Sequence, residues 1–272
     1  MEVDFKIKGK VAVITGGAGI ICSDIAKGLA SAGAKVAILD LMEDKSNLLV
    51  QDIEKDDGEA IGMYVNVLEK KSIEKACSRV LERFGTVDIL INGAGGNKED
   101  ATTSKNISFF NMSEEAIKWV FDLNLLGTIL PTQVFGKIFA QKKEGCVINI
   151  SSMAAFTPLT CTVAYSAAKA AVSNLTQWMA THFNQVYSQN IRVNAIAPGF
   201  LLTQQNDYLL INKDTNEPTE RGAKIIAGTP MGRYGKPIEL VGAVIFLCSS
   251  AASFINGIVV PIDGGFSAYS GV

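Results

Sequence analysis

Short apolar runs alternate with amphipathic segments along the whole chain, and this alternation restricts the fold more than any other feature. A run that stays apolar at successive positions is typical of a strand covered on both faces, as in a parallel sheet. Seven such runs are KVAVIT, KVAILD, AIGMYVNV, VDILINGAG, GCVINISS, IRVNAIAPG and GIVVPIDGG. Between them, periodicity predicts helices at about 24–32, 43–55, 69–84, 114–141, 163–187 and 237–248.

This order of elements predicts an α/β fold: a single Rossmann-type doubly wound domain with a seven-stranded parallel sheet flanked by helices. The 272 residues are enough for one large core, so we expect residues 1–272 to form one domain. The polar segment at about 201–228 is too long for an ordinary connecting loop. It is interpreted as an irregular lid over a substrate.

Charge and cysteine content narrow the class of function. The net charge is −2 and no run of Lys or Arg is present, so we expect neither nucleic acid nor an anionic membrane as a partner. Five scattered cysteines indicate reduced thiols in a cytoplasmic protein. With a single histidine and no closely spaced cysteine pair, no metal site is expected. The N-terminus lacks a signal-peptide core, and the uncharged stretch 240–262 is interrupted by SSAAS and NG.

Ligands of such sheets bind beyond the carboxyl ends of the strands, where the strand order reverses. Residue types common in loops follow each strand there, and turn formation alone could explain them. As candidate contacts of a dinucleotide we take Gly16, Gly19, Ile20, Ile21, Asp40, Leu41, Asn66, Val67, Asn92, Ala94, Gly95, Pro198, Gly199 and Phe200.

Asp40 directly follows the second apolar run. A carboxylate there can accept hydrogen bonds from both hydroxyls of an adenine ribose and repels a 2′-phosphate, which favours NAD over NADP. The alternative is an acidic residue that only ends a strand. Lys45 lies close enough in sequence to weaken the preference.

Tyr165 and Lys169 are four residues apart on a predicted helix and therefore share one face. An ammonium close to a phenol favours the phenolate and is expected to lower the pKa of Tyr165 toward neutrality. A phenol of this kind can give a proton to a carbonyl oxygen during reduction. Ser152 ends the preceding strand and, taken alone, is equally consistent with a turn or a helix cap.

Together these motifs resemble the short-chain dehydrogenase/reductase family over the whole chain. The matching segments, in the order and spacing of the family, are TGGAGIIC, NGAG, FDLNLLGT, NISS, YSAAK, APG and DGG. The resemblance implies an NAD(P)-binding sheet and a catalytic set of Asn124, Ser152, Tyr165 and Lys169, of which the last two also contact the cofactor. It implies that Ser152 hydrogen-bonds the carbonyl oxygen of the substrate, that Asn124 positions a water that relays protons, and that Lys169 holds the nicotinamide ribose.

The glycine-rich turn departs from the T-G-x-x-x-G-x-G pattern of that family. Laid on residues 15–22 without a gap, the pattern retains Gly16 but meets Ile20 and Cys22 where glycines are usual. Gly17 and Gly19 still supply backbone freedom, and Cys22 is small enough for close helix packing. We therefore expect a reshaped turn that still binds the pyrophosphate.

Within the family, segments such as GGNKEDATTS and NAIAPGFLLTQQN resemble the subgroup of D-mannonate oxidoreductases, or fructuronate reductases. That resemblance implies NADH-dependent reduction of a keto-sugar acid such as D-fructuronate. A gluconate or polyol dehydrogenase and a catalytically silent NAD-binding sensor are the alternatives. Polar candidates for substrate contacts, each of which could instead be a solvated loop residue, are Asn97, Lys98, Gln204, Gln205, Asn206 and Arg233.

The uncharged C-terminal segment FSAYSGV ends the chain with two aromatic residues. An apolar ending of this kind indicates docking against a protein surface. The family resemblance implies a homotetramer with two-fold symmetry, in which this tail lies at or near an interface. A tail folded back on its own subunit is the alternative.

Overall fold

A seven-stranded sheet, with every strand parallel to its neighbours, forms the centre of the computed structural model, which describes residues 4–203, 207–213 and 215–271. In chain order the strands are β1 (Val11–Thr15), β2 (Lys35–Asp40), β3 (Glu59–Tyr64), β4 (Ile89–Asn92), β5 (Gly145–Ile150), β6 (Ile191–Pro198) and β7 (Val259–Ile262). Their order in the sheet is β3-β2-β1-β4-β5-β6-β7. The order reverses between β1 and β4, which places the expected ligand crevice there. The predicted fold class is confirmed.

Helices cover both faces of the sheet. Their bounds are α1 (Ile20–Ser31), α2 (Glu43–Lys55), α3 (Lys70–Phe84), α4 (Glu114–Phe121), α5 (Gly127–Lys142), α6 (Val163–Val186), α7 (Asp207–Leu210), α8 (Glu220–Ala227) and α9 (Val241–Cys248). Within the described ranges, no helix combines the length and apolar character needed to cross a membrane.

Two helix predictions differ from the structure in informative ways. Helix α1 begins at Ile20, four residues before the predicted start at 24, because Gly19 has an extended backbone and the chain turns into the helix immediately after it. The predicted helix at 114–141 is divided by the π-helical turn Asp122–Leu126. A single wide turn leaves the apolar periodicity almost unchanged, so the sequence pattern does not reveal it.

The apolar core lies in two layers, one on each face of the sheet. Successive strand residues point to opposite faces, so Ile14 packs in the layer with α1 and α9, whereas Val13 packs in the layer with α3, α5 and α6. Phe135 and Phe139 of α5 are the largest fully buried side chains of the second layer. Both layers hold the strand ends rigidly, which positions the loops beyond them.

A chain of polar side chains crosses the second layer. The Nδ2 atom of Asn92 donates to Thr132 Oγ1 and to Asn149 Oδ1, each at 2.9 Å. Asn149 Nδ2 donates to Thr176 Oγ1 at 2.9 Å, and Thr132 Oγ1 donates to the carbonyl of Thr128 at 2.8 Å. Asn92 and Asn149 occupy paired positions of β4 and β5. This polar chain links the centre of the sheet to both α5 and α6.

The segment at 201–228 contains the short helices α7 and α8, so it is more regular than the sequence indicated, and its role as a substrate lid stays a prediction. Thr219 begins α8 by accepting a hydrogen bond from the Gly222 N–H at 3.0 Å. Isolated bridges join Leu201 to Gly235 and Ile211 to Pro218. Thr219, which directly precedes the amphipathic octapeptide that begins with Glu220, was a usable N-terminal signal for α8.

The first part of the C-terminal segment packs on its own chain. Both carboxylate oxygens of Asp263 accept backbone hydrogen bonds, from Gly265 at 2.9 Å and from Ser267 at 2.8 Å. The Phe266 ring meets the Phe200 ring edge to face, with centroids 5.2 Å apart. Tyr269 is exposed. Phe266 therefore makes the contacts expected of a tail that folds back on its own subunit. The homotetramer stays a prediction.

Candidate active site

The turn after β1 brings two backbone segments into direct contact. Gly16 has a φ of +61°, and a Cβ at this position would lie 2.8 Å from the Cα of Ala94. Gly19 precedes α1 without a side chain to cap the first N–H groups of the helix. Such a helix N-terminus is a favourable place for an anion.

A cavity of about 360 Å³ lies at this helix N-terminus. It is lined by Gly16, Gly19, Ile20, Ile21, Cys22, Gly93, Gly95, Gly199, Phe200, Leu201 and Thr203. Seven of these residues are among the predicted cofactor contacts: Gly16, Gly19, Ile20, Ile21, Gly95, Gly199 and Phe200. The loops after β1, β4 and β6 thus enclose one space, which suits the pyrophosphate and nicotinamide end of a dinucleotide.

The two unusual residues of the turn have different surroundings. Ile20 is the first residue of α1 and its half-buried side chain lines the cavity. Cys22 is 3% exposed, and a Cβ on Gly93 would lie 2.1 Å from its Sγ atom. Burial raises the pKa of the Cys22 thiol to about 12. Cys22 is therefore an inert packing group between α1 and the loop after β4.

Asp40 ends β2 beside the glycine-rich turn and is only 8% exposed. Its Oδ2 accepts a hydrogen bond from the Ala18 N–H at 3.1 Å, and its Oδ1 accepts one from the Met42 N–H at 3.0 Å. Each carboxylate oxygen retains capacity for a further donor. The carboxylate is thus held in place by the backbone and fits the hydroxyls of a ribose. Leu41 beside it is exposed.

The remaining predicted cofactor residues are used in several ways. Asn66 Oδ1 accepts from the Leu68 N–H at 3.0 Å, so its side chain organises the turn before α3. Val67 is buried against Gly127. The amide of Asn92 belongs to the polar chain in the core rather than to the cavity lining. Pro198 ends β6 immediately before the cavity residue Gly199.

Asn124 lies fully buried in the π-helical turn between α4 and α5. Its Nδ2 donates to the carbonyls of Gly96 and Val120, each at 2.7 Å, and its Oδ1 accepts from the Gly96 N–H at 3.3 Å. Its own carbonyl accepts from Thr128 Oγ1 at 2.8 Å. The amide therefore holds the loop after β4, and the expected role in positioning a water stays a prediction.

Ser152, Tyr165 and Lys169 are brought together by β5 and α6. The Ser152 side chain accepts a hydrogen bond from the Ala154 N–H at 3.1 Å and lies near enough to the Tyr165 hydroxyl to lower its pKa. Lys169 Nζ lies 5.6 Å from the centroid of the Tyr165 ring. It donates to the carbonyl of Ile150 at 2.8 Å, which anchors the ammonium at the end of β5. The helix spacing thus places both side chains beside Ser152.

Burial dominates the electrostatics of this group. It raises the pKa of the Tyr165 hydroxyl, against the opposing effect of the nearby Ser152 side chain. The expectation of a lowered pKa is therefore wrong for this structure, because the sequence shows the neighbouring lysine but not the desolvation. Burial also lowers the pKa of Lys169 to about 8. A protonated phenol at neutral pH suits a proton donor in carbonyl reduction.

Two of the predicted substrate residues are cations, and among the residues that the structure describes Arg233 has an acidic partner whereas Lys98 has none. Arg233 forms a bidentate pair with Glu239, at 2.8 and 2.6 Å, so its charge is neutralised and it is a poor receptor for a substrate carboxylate. Lys98 Nζ instead lies 4.6 Å from the centroid of the Trp119 ring. Asn97 Nδ2 donates to Thr102 Oγ1 at 2.8 Å. Gln204, Gln205 and Asn206 lie outside the described residues.

Comparison with known proteins assigns the family. A family model described as enoyl-(acyl carrier protein) reductase matches residues 17–267. The chain belongs to the short-chain dehydrogenase/reductase family. It is thus an oxidoreductase of the class that acts on CH–OH groups with NAD(P).

Among relatives of this short-chain dehydrogenase/reductase, the uncharacterized oxidoreductase UxuB of Bacillus subtilis (strain 168) is 48% identical over 98% of both chains. A crystal structure of a candidate D-mannonate oxidoreductase from Haemophilus influenza, with bound NAD, is 46% identical over 98% of both chains, with a TM-score of 0.92. The 2-dehydro-3-deoxy-D-gluconate 5-dehydrogenase of Formosa agariphila is 34% identical over 100% of this chain and 98% of its own.

Thr15, which belongs to the glycine-rich segment expected to form the site, and Trp119, which the sequence reasoning missed, complete this dehydrogenase/reductase site. Thr15 Oγ1 accepts from the N–H groups of Gly93 at 3.2 Å and Ala94 at 3.4 Å, which fixes the loop after β4. Its position before Gly16 in the glycine-rich motif was the available signal. Trp119, which contacts Lys98, gave none, because its contact depends on how α4 packs.

Proposed function

We propose that this enzyme interconverts a keto-sugar acid and its hydroxy acid with NAD(H), most specifically D-fructuronate and D-mannonate. The proposal depends on one observation above all. Ser152, Tyr165 and the buried Lys169 lie together, with Lys169 Nζ 5.6 Å from the centroid of the Tyr165 ring, in a chain 46% identical to a candidate D-mannonate oxidoreductase with bound NAD. A proton donor, a hydroxyl partner and a cation are the groups that carbonyl reduction requires in the absence of a metal-polarised oxygen.

The reduction divides the work among three side chains. When bound, NADH supplies the hydride that reaches the carbonyl carbon. Tyr165 donates its hydroxyl proton to the carbonyl oxygen as that oxygen gains negative charge, and Ser152 donates a hydrogen bond to the same oxygen. The ammonium of Lys169 stabilises the phenolate that Tyr165 becomes. In the opposite direction the phenolate accepts the hydroxyl proton of the substrate.

The cofactor proposal is NADH rather than NADPH. The N-terminus of α1 offers backbone N–H groups to the pyrophosphate, and the oriented carboxylate of Asp40 offers acceptors to the adenine ribose. A 2′-phosphate at that ribose would meet the buried negative charge of Asp40. The Ile20 side chain lines the cavity, and the backbone N–H groups that follow Gly19 are still available to the pyrophosphate.

A gluconate or polyol dehydrogenase is the second candidate, favoured by the 34% identity to the Formosa agariphila enzyme named above. For both candidates we propose one domain over residues 1–272, a homotetrameric assembly and closure of the segment 201–228 over the substrate.

A substrate panel tests the function. D-Fructuronate, 5-keto-D-gluconate and the neutral ketose D-fructose are each supplied with NADH and with NADPH, and cofactor oxidation is followed at 340 nm. We expect the highest kcat/KM for D-fructuronate with NADH. Preference for 5-keto-D-gluconate would favour the second candidate. If the protein binds NADH but none of the three compounds causes NADH to be oxidised, the result would favour the catalytically silent sensor.

The same assay tests the role of Asp40. Asp40→Ala should narrow the gap between NADH and NADPH, because it removes the charge that repels the 2′-phosphate. Asp44→Ala is the matched control, since it removes an acidic residue from the exposed first turn of α2. Equal use of both cofactors by the unaltered enzyme would refute this role.

A further inference from the structure

Lys98 follows a loop that is fastened to the proposed catalytic group. A Cβ on Gly95 would lie 2.8 Å from Asn124 Oδ1 and 3.1 Å from Lys169 Nζ, so this backbone touches both side chains. Gly96 is bound to the Asn124 amide through its N–H and its carbonyl. Three residues span at most about 11 Å, so Lys98 begins within reach of a substrate held by this group.

Trp119 holds the Lys98 side chain on the same apolar cluster that supports Tyr165. The ammonium lies 4.6 Å from the Trp119 ring centroid, a distance at which the ring attracts a cation. The rings of Trp119 and Tyr165 both pack against one cluster formed by Ala101, Ala116, Val120, Ala164 and Ala168. The cation and the proton donor are therefore supported by a common surface.

The charge of Lys98 has no acidic partner among the residues that the structure describes. No ion pair joins it to Glu99 or Asp100, although both follow it directly in sequence. Arg233, the other candidate cation, is neutralised by Glu239. An aromatic ring orients an ammonium while leaving its N–H groups available to an anion.

We propose that Lys98 binds the carboxylate of the substrate, that Trp119 is its positioning residue, and that this pair makes the enzyme select acids over neutral sugars. The inference rests on the proposed reduction of keto-sugar acids. In a six-carbon acid with its keto group at C5, four carbon–carbon bonds of about 1.5 Å separate the carbonyl carbon from the carboxylate. The carboxylate then lies at most about 6 Å from the reacting carbon, a separation that Lys98 can span from the loop after β4.

Substitution of the cation tests this subsite. Lys98→Gln should raise the KM for the best keto-sugar acid by roughly 10- to 100-fold, as expected for a lost charge-assisted hydrogen bond. The KM for D-fructose should rise much less than the KM for the acid, because D-fructose carries no carboxylate. Lys98→Arg should restore most of the acid selectivity. Lys105→Gln is the matched control, because it removes an exposed lysine from the same segment.

The positioning role of Trp119 needs a separate readout. Trp119→Leu should raise the KM for the acid by roughly 2- to 10-fold and leave the KM for D-fructose unchanged, because the cation loses its ring but stays on the chain. Trp119→Phe should retain most of the effect of the ring.

Salt gives a further readout of the charge of Lys98. Added salt should raise the KM for the acid in the unaltered enzyme and should raise it much less in Lys98→Gln.

A binding measurement separates this inference from the proposed function. The affinities of D-mannonate, D-gluconate and neutral mannitol for the enzyme with NADH are measured by calorimetry, because a hydroxy compound and the reduced cofactor cannot react with each other. Tighter binding of the acids that is lost only in Lys98→Gln supports the subsite even if the panel finds no reduction of D-fructuronate. Equal binding of acids and mannitol, or equal loss in Lys98→Gln and Lys105→Gln, would overturn it.

Discussion

Gly16 is the position at which a single methyl group should damage both folding and cofactor binding. In the variant Gly16→Ala, the alanine would have to adopt the left-handed φ of +61°, which costs an L-residue about 1–2 kcal/mol. Its Cβ would also lie 2.8 Å from Ala94 Cα. Since ordinary carbon–carbon contacts are about 3.5–4.0 Å, the two segments must separate by about 0.7–1.2 Å.

Both consequences have an expected size. Overpacking of this kind adds about 1–3 kcal/mol, so Gly16→Ala should lower the free energy of unfolding by about 2–5 kcal/mol in a urea titration. A displacement near 1 Å at the cofactor should reduce kcat/KM for NADH on the order of 100-fold. Fluorescence titration with NADH should show weaker binding as well.

Gly9→Ala separates the backbone effect from the contact. Gly9 has a φ of +78°, but a Cβ there would meet no atom within 4 Å. Gly9→Ala should therefore lose only about 1–2 kcal/mol of stability and bind NADH normally. If Gly16→Ala and Gly9→Ala lose the same stability and the same affinity for NADH, the close approach of Gly16 to Ala94 does not explain why residue 16 is a glycine.

Two further predictions concern catalysis and assembly. Tyr165→Phe should retain NADH binding while kcat falls roughly 100-fold or more, because the proton donor is lost and the ring remains. Tyr64→Phe, at an exposed position, is the control. Near-normal turnover of Tyr165→Phe would remove Tyr165 from the mechanism. Deletion of residues 266–272 should lower the Tm, because the Phe200–Phe266 contact is lost. It should also reduce the mass measured by light scattering below that of a tetramer. An unchanged mass and activity would contradict a role for the tail.

Local pattern was sufficient for most of the framework. The predicted helix at 43–55 matches α2 (Glu43–Lys55), because its amphipathic pattern coincides with acidic residues in the first turn and a lysine in the last. The strands were recognisable because both faces of this sheet are covered, which leaves long apolar runs. The spacing of Tyr165 and Lys169 was informative for the same reason: helix geometry alone brings them together.

Features that depend on tertiary packing were not predictable in this way. The pairing of Arg233 with Glu239 needs the turn at Pro237–Leu240 to bring the two together. The raised pKa of Tyr165 needs knowledge of its burial. The π-helical turn at Asn124 depends on side-chain bonds to Gly96 and Val120, which apolar periodicity cannot report.

The chain of polar side chains through Asn92 and Asn149 has a consequence for how this fold is reached. Apolar parallel strands such as β4 and β5 can pair in several alignments of similar hydrophobic content. A slip of one residue would separate the two amides in a dry core, at about 1–3 kcal/mol for each unpaired group. Misaligned pairings of β4 and β5 are therefore less stable than the native pairing. The same hydrogen bonds join the two strands to α5 and α6, so the native strand alignment and the placement of the helices that carry the reactive side chains are stabilised together.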